Sequence, residues 1–160
     1  MSQIMFKGQP VKLSGVFPQA GHTAPAFTLT GASLADVRLN QFAGRQKILS
    51  IVPSLDTPVC AASARKFNAR VAGLANVVVL KISMDLPFAQ KRFCESEHIE
   101  NIVMLSAFRY PAFAWITACG SLTGRWPACW PAPCWSWTSA IRLSMRSWCR
   151  TSPRSRITTP

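Results

Sequence analysis

Beyond Ala114 this 160-residue chain has no aspartate, glutamate or lysine, and before Trp115 it has no tryptophan. Ordinary domains intersperse both signs of charge on their surfaces. A tail with six arginines and no acid to balance them is therefore not an ordinary domain surface. The only acidic residues are Asp36, Asp56, Asp85, Glu95, Glu97 and Glu100, so half of the net charge of +12 arises after position 114. No apolar run approaches the roughly 18 residues of a membrane span, which excludes a membrane-spanning helix. The opening MSQIMFKGQP has no basic stretch leading into an apolar one. It predicts no secretory signal, and the cytoplasm rather than the periplasm as location. The two histidines, His22 and His98, have no partner pattern for acid–base work. The tail cysteines 119, 129, 134 and 149 contain no Cys-x-x-Cys pair, so neither zinc nor another metal is expected. No internal repeat is visible.

What is present before Trp115 alternates between strand and helix. Met5 to Leu13 reads as a hairpin around Lys7-Gly8-Gln9-Pro10. Phe27 to Leu29 and Val37 to Leu39 are short strand candidates, while KILSIV (47–52), NVVVLKIS (76–83) and NIVML (101–105) read as buried strands. Phe67, Val71 and Leu74 recur at helical spacing, predicting an amphipathic helix from Cys60 to about Leu74. A second helix is predicted over Leu86–Glu97, with Asp85 as N-cap and Pro87 in the first turn. Strand, helix, strand, helix, strand implies right-handed crossovers and an α/β fold with parallel pairs. After Ala114 prolines 127, 131 and 133 break both patterns.

Pro53-Ser54-Leu55-Asp56-Thr57-Pro58-Val59-Cys60 lies at a strand-to-helix junction. A thiol in the first turn of a helix faces unpaired N–H groups and the positive end of the dipole, which favour the nucleophilic thiolate. Thr57, on the incoming loop, is placed to set its hydroxyl beside the sulfur. Peroxide attack would give a sulfenic acid, which condenses with a second thiol. Cys94, on the next predicted helix, is the candidate. The same two residues are equally consistent with buried structural thiols. Lys66 and Arg70 read as the solvated face of the Cys60 helix.

The pattern Pro-x-x-x-Thr-x-x-Cys followed by Ala61-Ala62-Ser63-Ala64-Arg65-Lys66-Phe67-Asn68 resembles the active-site segment of bacterial thiol peroxidases, the atypical two-cysteine peroxiredoxins. So do Pro18-Gln19-Ala20-Gly21, Gln41-Phe42-Ala43-Gly44, and Asp85-Leu86-Pro87-Phe88-Ala89-Gln90 leading to Arg92-Phe93-Cys94. The likeness runs to Arg109. It implies a thioredoxin-like fold and a homodimer, with reduction of hydrogen peroxide and alkyl hydroperoxides by electrons from thioredoxin, without a cofactor. It implies Cys60 as the peroxidatic thiol, Cys94 as the resolving thiol of an intrasubunit disulfide, and Thr57 beside them. Two cysteines on separate helices then imply local unwinding, because a disulfide needs Cα atoms within about 7 Å.

The family ending is absent from the tail as written but reappears one base out of frame. Tryptophan has a single codon, ending in G, so it sets the first base of a codon that straddles it and its successor. Trp115-Ile116 then forces Asp, Trp126-Pro127 and Trp130-Pro131 force Ala, and Trp137-Thr138 forces Asp. Cys129-Trp130 and Cys134-Trp135 force Leu. With the free bases chosen, Asp-Tyr-Gly-Val, Gly-Pro-Leu-Ala-Gly-Leu and Ala-Arg-Ala-Val follow in family order. The chain therefore divides into a truncated thioredoxin-like peroxiredoxin domain, 1–114, and an out-of-frame tail, 115–160, expected to be disordered. The tail replaces the C-terminal strands and helix of the family. The family's active-site arginine falls across Pro131-Ala132, so no residue here corresponds to it, and neither Arg125 nor Arg142 is placed to substitute.

The missing strand is expected to bare the strand entering Cys60, an aggregation hazard, and to weaken a domain whose margin is only about 5–15 kcal/mol. Poor folding and impaired activity are expected, with an inactive fragment oxidised once per chain as the alternative. Arginine with tryptophan can bind nucleic acid by phosphate contact and stacking. Out-of-frame reading of a GC-rich gene yields the same residues, so only nonspecific, salt-sensitive binding is expected. Sequencing the coding DNA across codons 105–120 tests the frame reading.

Overall fold

The computed structural model describes residues 24–113 in full and four further strands by backbone alone: Gln3–Phe6, Gln9–Lys12, Cys134–Thr138 and Arg142–Ser144. The first two, β1 and β2, form the expected antiparallel hairpin, with Phe6 opposite Gln9. Next come β3 (Thr28–Gly31), β4 (Asp36–Arg38), a 3-10 turn (Leu39–Phe42) and β5 (Gln46–Ile51). Then follow α1 (Pro58–Val71), β6 (Val77–Ser83), α2 (Pro87–Glu97) and β7 (Val103–Ser106). Cys134–Thr138 is β8 and Arg142–Ser144 is β9.

Seven strands make one sheet in the order β4-β3-β7-β6-β5-β8-β9. The valine-rich β6 lies between β5 and β7 and is parallel to both, so right-handed crossovers put α1 and α2 on one face. Side-chain alternation divides the core into two layers. Val78, Leu80 and Ile82 pack with Leu49, Ile51, Leu29, Phe27 and Phe113 on one face. Val79 packs on the other with Ala64, Phe67 and Val71 of α1, Cys60 among them. The α/β expectation holds, as do all the expected strands before Trp115.

Three local expectations are corrected. Helix α1 stops at Val71, because Gly73 takes φ +82° just beyond it. Leu74 lies outside the helix and is exposed. The N-cap of α2 is Leu86, without a side-chain cap bond, while the Asp85 carboxylate turns to more distant partners. The edge of β5 is not bare: β8 pairs with it antiparallel, Ser50 opposite Cys134 and Lys47 opposite Trp137. A ladder uses main-chain groups, so a strand of foreign side chains can still form one. Of the tail expected to be disordered, β8 and β9 are strands and the rest lies outside the described residues.

Leu80 is fully buried in the middle of β6. Leu80→Ala is expected to lower stability by about 2–5 kcal/mol, read from the shift of the urea midpoint.

Candidate active site

The C-terminal ends of β5 and β6 lie level, with Ile51 opposite Ile82. Beyond them the chain passes through Pro53–Asp56 into α1, and that loop is held by hydrogen bonds. The Leu55 N–H donates to Asp85 Oδ2 at 2.8 Å, and the Asp56 N–H donates to Ser54 Oγ at 3.1 Å. Asp85 Oδ2 also accepts the Ser83 hydroxyl at 2.8 Å. Gln90 Nε2 donates to Ser83 Oγ and to the Leu105 carbonyl, which carries the network to β7. This buried support was not legible in sequence, where Asp85 suggested only a cap.

Thr57 is the N-cap of α1, with Pro58 following, and its hydroxyl makes no cap bond to the helix. The first intrahelical bond runs from the Ala61 N–H to the Thr57 carbonyl at 3.0 Å. Instead of capping, the Thr57 hydroxyl donates to the Ser54 carbonyl at 3.1 Å. Its proton is thereby committed, and an incoming molecule meets only its oxygen lone pairs. Cys60 is the third residue of α1, a free thiol 7% exposed. The nucleophile candidate therefore sits within a helix start left uncapped by any side chain.

Cys94, also a free thiol, lies near the C-terminal end of α2 and is half-buried. With Phe93 it packs against the cluster containing Cys60, so both cysteines border one apolar layer. Burial, then the neighbouring Glu95 carboxylate, pushes the Cys94 thiol above its ordinary value. The Cys94 carbonyl accepts the N–H groups of His98 and Ile99, closing the helix. From α1, Asn68 clamps the following turn, accepting the Glu100 and Asn101 N–H groups at 3.0 and 2.7 Å. An open groove of about 440 Å³ reaches Cys94 between Lys91, Glu95, Ile102 and Ser33; Cys60 does not line it.

His98 takes a left-handed conformation at the end of α2, and His22 lies outside the described residues. The Arg45 guanidinium reaches the Val77 carbonyl and that of Arg65 pairs with Glu97 at 2.8 Å, so neither serves Cys60. Arg142 opens β9, two strands from β5, and Arg125 lies outside the described residues. Among the described residues no helix is long and apolar enough to cross a membrane.

The Redoxin family model matches residues 19–119. A thiol peroxidase of Mycobacterium bovis is 50% identical over 109 residues, which are 68% of this chain and 66% of that protein. The match thus spans slightly less than two thirds of the relative's length. The crystal structure of a peroxiredoxin-like protein from Aquifex aeolicus is 33% identical, covering 88% of this chain and 82% of that one, with a TM-score of 0.80. A thiol peroxidase structure from Chromobacterium violaceum, 17% identical with a TM-score of 0.77 over 88% and 82% of the two chains, shares the fold.

Because the raised value favours the protonated thiol, Cys94 alkylation should lag behind that of an unfolded-chain cysteine, whose ordinary thiol value is 9.0, until the pH passes the raised value. The stability tied to this proton is complete below that value and is lost as the pH rises through the raised one. Iodoacetamide labelling of the Cys94 peptide across pH 7–10, with and without denaturant, measures it; equal rates would contradict it.

Proposed function

The chain belongs to the redoxin family, and we propose that it is a thiol-dependent peroxidase with Cys60 as nucleophile and Cys94 as resolving thiol. The observation that carries this is the free Cys60 thiol in the uncapped first turn of α1, with the Cys94 thiol bordering the same apolar layer. The Cys60 thiolate attacks one oxygen of a hydroperoxide, the O–O bond breaks, and the second oxygen leaves as water or alcohol after taking a proton. Thr57 accepts a hydrogen bond from the peroxide O–H through the lone pairs its own bond to Ser54 leaves outward. The Cys60 sulfenic acid then condenses with the Cys94 thiol, forming the disulfide and releasing water. A dithiol of the thioredoxin class supplies the two electrons that restore both thiols. The chemistry is contained in the two sulfurs and needs no cofactor. Residues 1–114 form the catalytic unit, assigned to the cytoplasm and to a homodimer, as the resemblance implies; neither a membrane nor a specific nucleic acid is assigned as a partner.

Condensation requires the last turn of α2 to open, releasing the Cys94 carbonyl from His98 and Ile99. The Arg65–Glu97 pair between the helices is largely exposed and resists this little, since such pairs contribute about 0–1 kcal/mol.

A second reading, a chain oxidised once without turnover, is favoured by the tail. No residue stands at the position of the family's active-site arginine, and removal of one donor of that kind costs about 10²–10³ in rate. Peroxide consumed per mole of chain with a thioredoxin system decides: repeated turnover supports the enzyme, and a halt after one equivalent supports the second reading. Cys60→Ser is expected to abolish consumption, whereas Cys94→Ser should keep the first equivalent and lose thioredoxin-driven turnover. Restoring one base near codons 110–115 should raise the rate by about 10²-fold or more.

A further inference from the structure

A lysine is an unexpected occupant of the middle strand of a buried sheet. Lys81 on β6 is fully buried, with β5 on one side and β7 on the other. Alternation puts it on the face of Val79, beneath α1. Its Nζ donates to Ser50 Oγ on β5 at 3.1 Å and to Ser63 Oγ on α1 in a short contact, and lies 5.8 Å from the centre of the Phe67 ring. The Ser63 hydroxyl donates to the Cys60 carbonyl at 3.0 Å. One continuous chain of donors thus runs from the buried amine, through Ser63, to the backbone of Cys60.

Its direction is set by proton count. Ser63 has a single hydroxyl proton and gives it to Cys60, so Lys81 must be the donor in the contact between them. Burying an ammonium costs several kcal/mol unless polar groups surround it, and an apolar residue would suit β6 at least as well. The serine oxygens and the ring face supply such surroundings. What the amine achieves there is a polar tie from the sheet to Ser63, one helical turn after Cys60, beneath α1.

We propose that Lys81 is a positioning residue for Cys60, acting through Ser63 to hold the first turn of α1 in which the thiol sits. This rests on the reading of Cys60 as nucleophile. Other ionisable groups face the same region: Cys94 from α2, Asp85 on the Leu55 N–H, and Asp56 on the loop, with Lys47 of β5 turned to the Arg45 carbonyl. Of these, Lys81 is the group hydrogen-bonded into α1 through Ser63.

The test compares Lys81→Met with the parent chain, both also carrying Cys94→Ser, by the pH dependence of Cys60 alkylation with iodoacetamide. The half-maximal pH should rise by about one unit, so that labelling on the acidic side slows about tenfold. An unchanged profile in a variant with the parent's circular dichroism and cooperative melting overturns the proposal. Should Lys81→Met not fold, Ser63→Ala decides in the same assay: a shift in the same direction supports the link, and an unshifted profile refutes it. Trapping of a Cys60 sulfenic acid with dimedone after peroxide is scored separately. Its absence would remove the peroxidase reading while leaving the alkylation result interpretable.

Discussion

The parallel ladder between β5 and β6 decides where the Cys60 thiol can be. Six consecutive residue pairs, Gln46 with Val77 through Ile51 with Ile82, bring both strands to an end at the same level. One strand then leads to Pro53–Thr57 and the other to Asp85, close enough for the Asp85 carboxylate to hold the Leu55 N–H. Slipping the register by one residue would turn every β6 side chain to the other layer. Val79 and Lys81 would leave α1, and Asp85 would lose the loop. The position of Cys60 is therefore a consequence of main-chain pairing many residues before it. The polar network behind the loop is a cost the fold accepts, because Gln90 Oε1 is buried without a hydrogen-bond partner among the described residues. Such a group costs about 1–3 kcal/mol. Its amide nitrogen meanwhile ties Ser83 to Leu105, joining β6 and β7 beneath the site.

The two cysteines experience opposite ends of their helices. Cys60 lies where N–H groups are left over, and Cys94 where carbonyls are, next to Glu95 and half-buried. Unpaired N–H groups at one end and unpaired carbonyls at the other give the two sites opposite electrostatic surroundings. The Asn68 clamp lies beyond Cys94, on residues 98–101. It anchors the chain that follows α2 to α1, so the last turn of α2 can open while β7 stays in register.

Strands before Trp115 were legible because valine and isoleucine runs of the right length have few other uses, and the parallel core they imply needs helices between. The Cys60 junction was legible from residue order alone. Lys81 was not. Within NVVVLKIS it is a single charge in an apolar run, and its partners Ser50 and Ser63 lie 31 and 18 residues away. Asp85 misled for a related reason. Aspartate before Pro87 resembles a helix cap, but the loop N–H of Leu55 competes for the same carboxylate and wins. Thr57 was expected to set its hydroxyl beside the sulfur, and only the geometry shows that its proton goes to Ser54.

The tail separates what a fold needs from what a reaction needs. Prolines 127, 131 and 133 all precede β8, and Cys134-Trp135-Ser136-Trp137-Thr138 contains residues that suit an extended strand. Read one base out of frame, Cys134-Trp135 forces Leu and the free bases around it allow Val-Leu-Val-Val, so either reading admits strand-forming residues. Their chemical identities differ completely, but a ladder beside β5 requires only N–H and C=O groups in extended order. An arginine aimed at a peroxide is a different kind of requirement, since no main-chain group can replace a guanidinium. On the frame reading expected from the sequence, the sheet order of a redoxin domain can stay in place while a side chain of the proposed chemistry is lost. The buried Lys81 gains importance in the same reading, because it lies in the part of the chain before that tail.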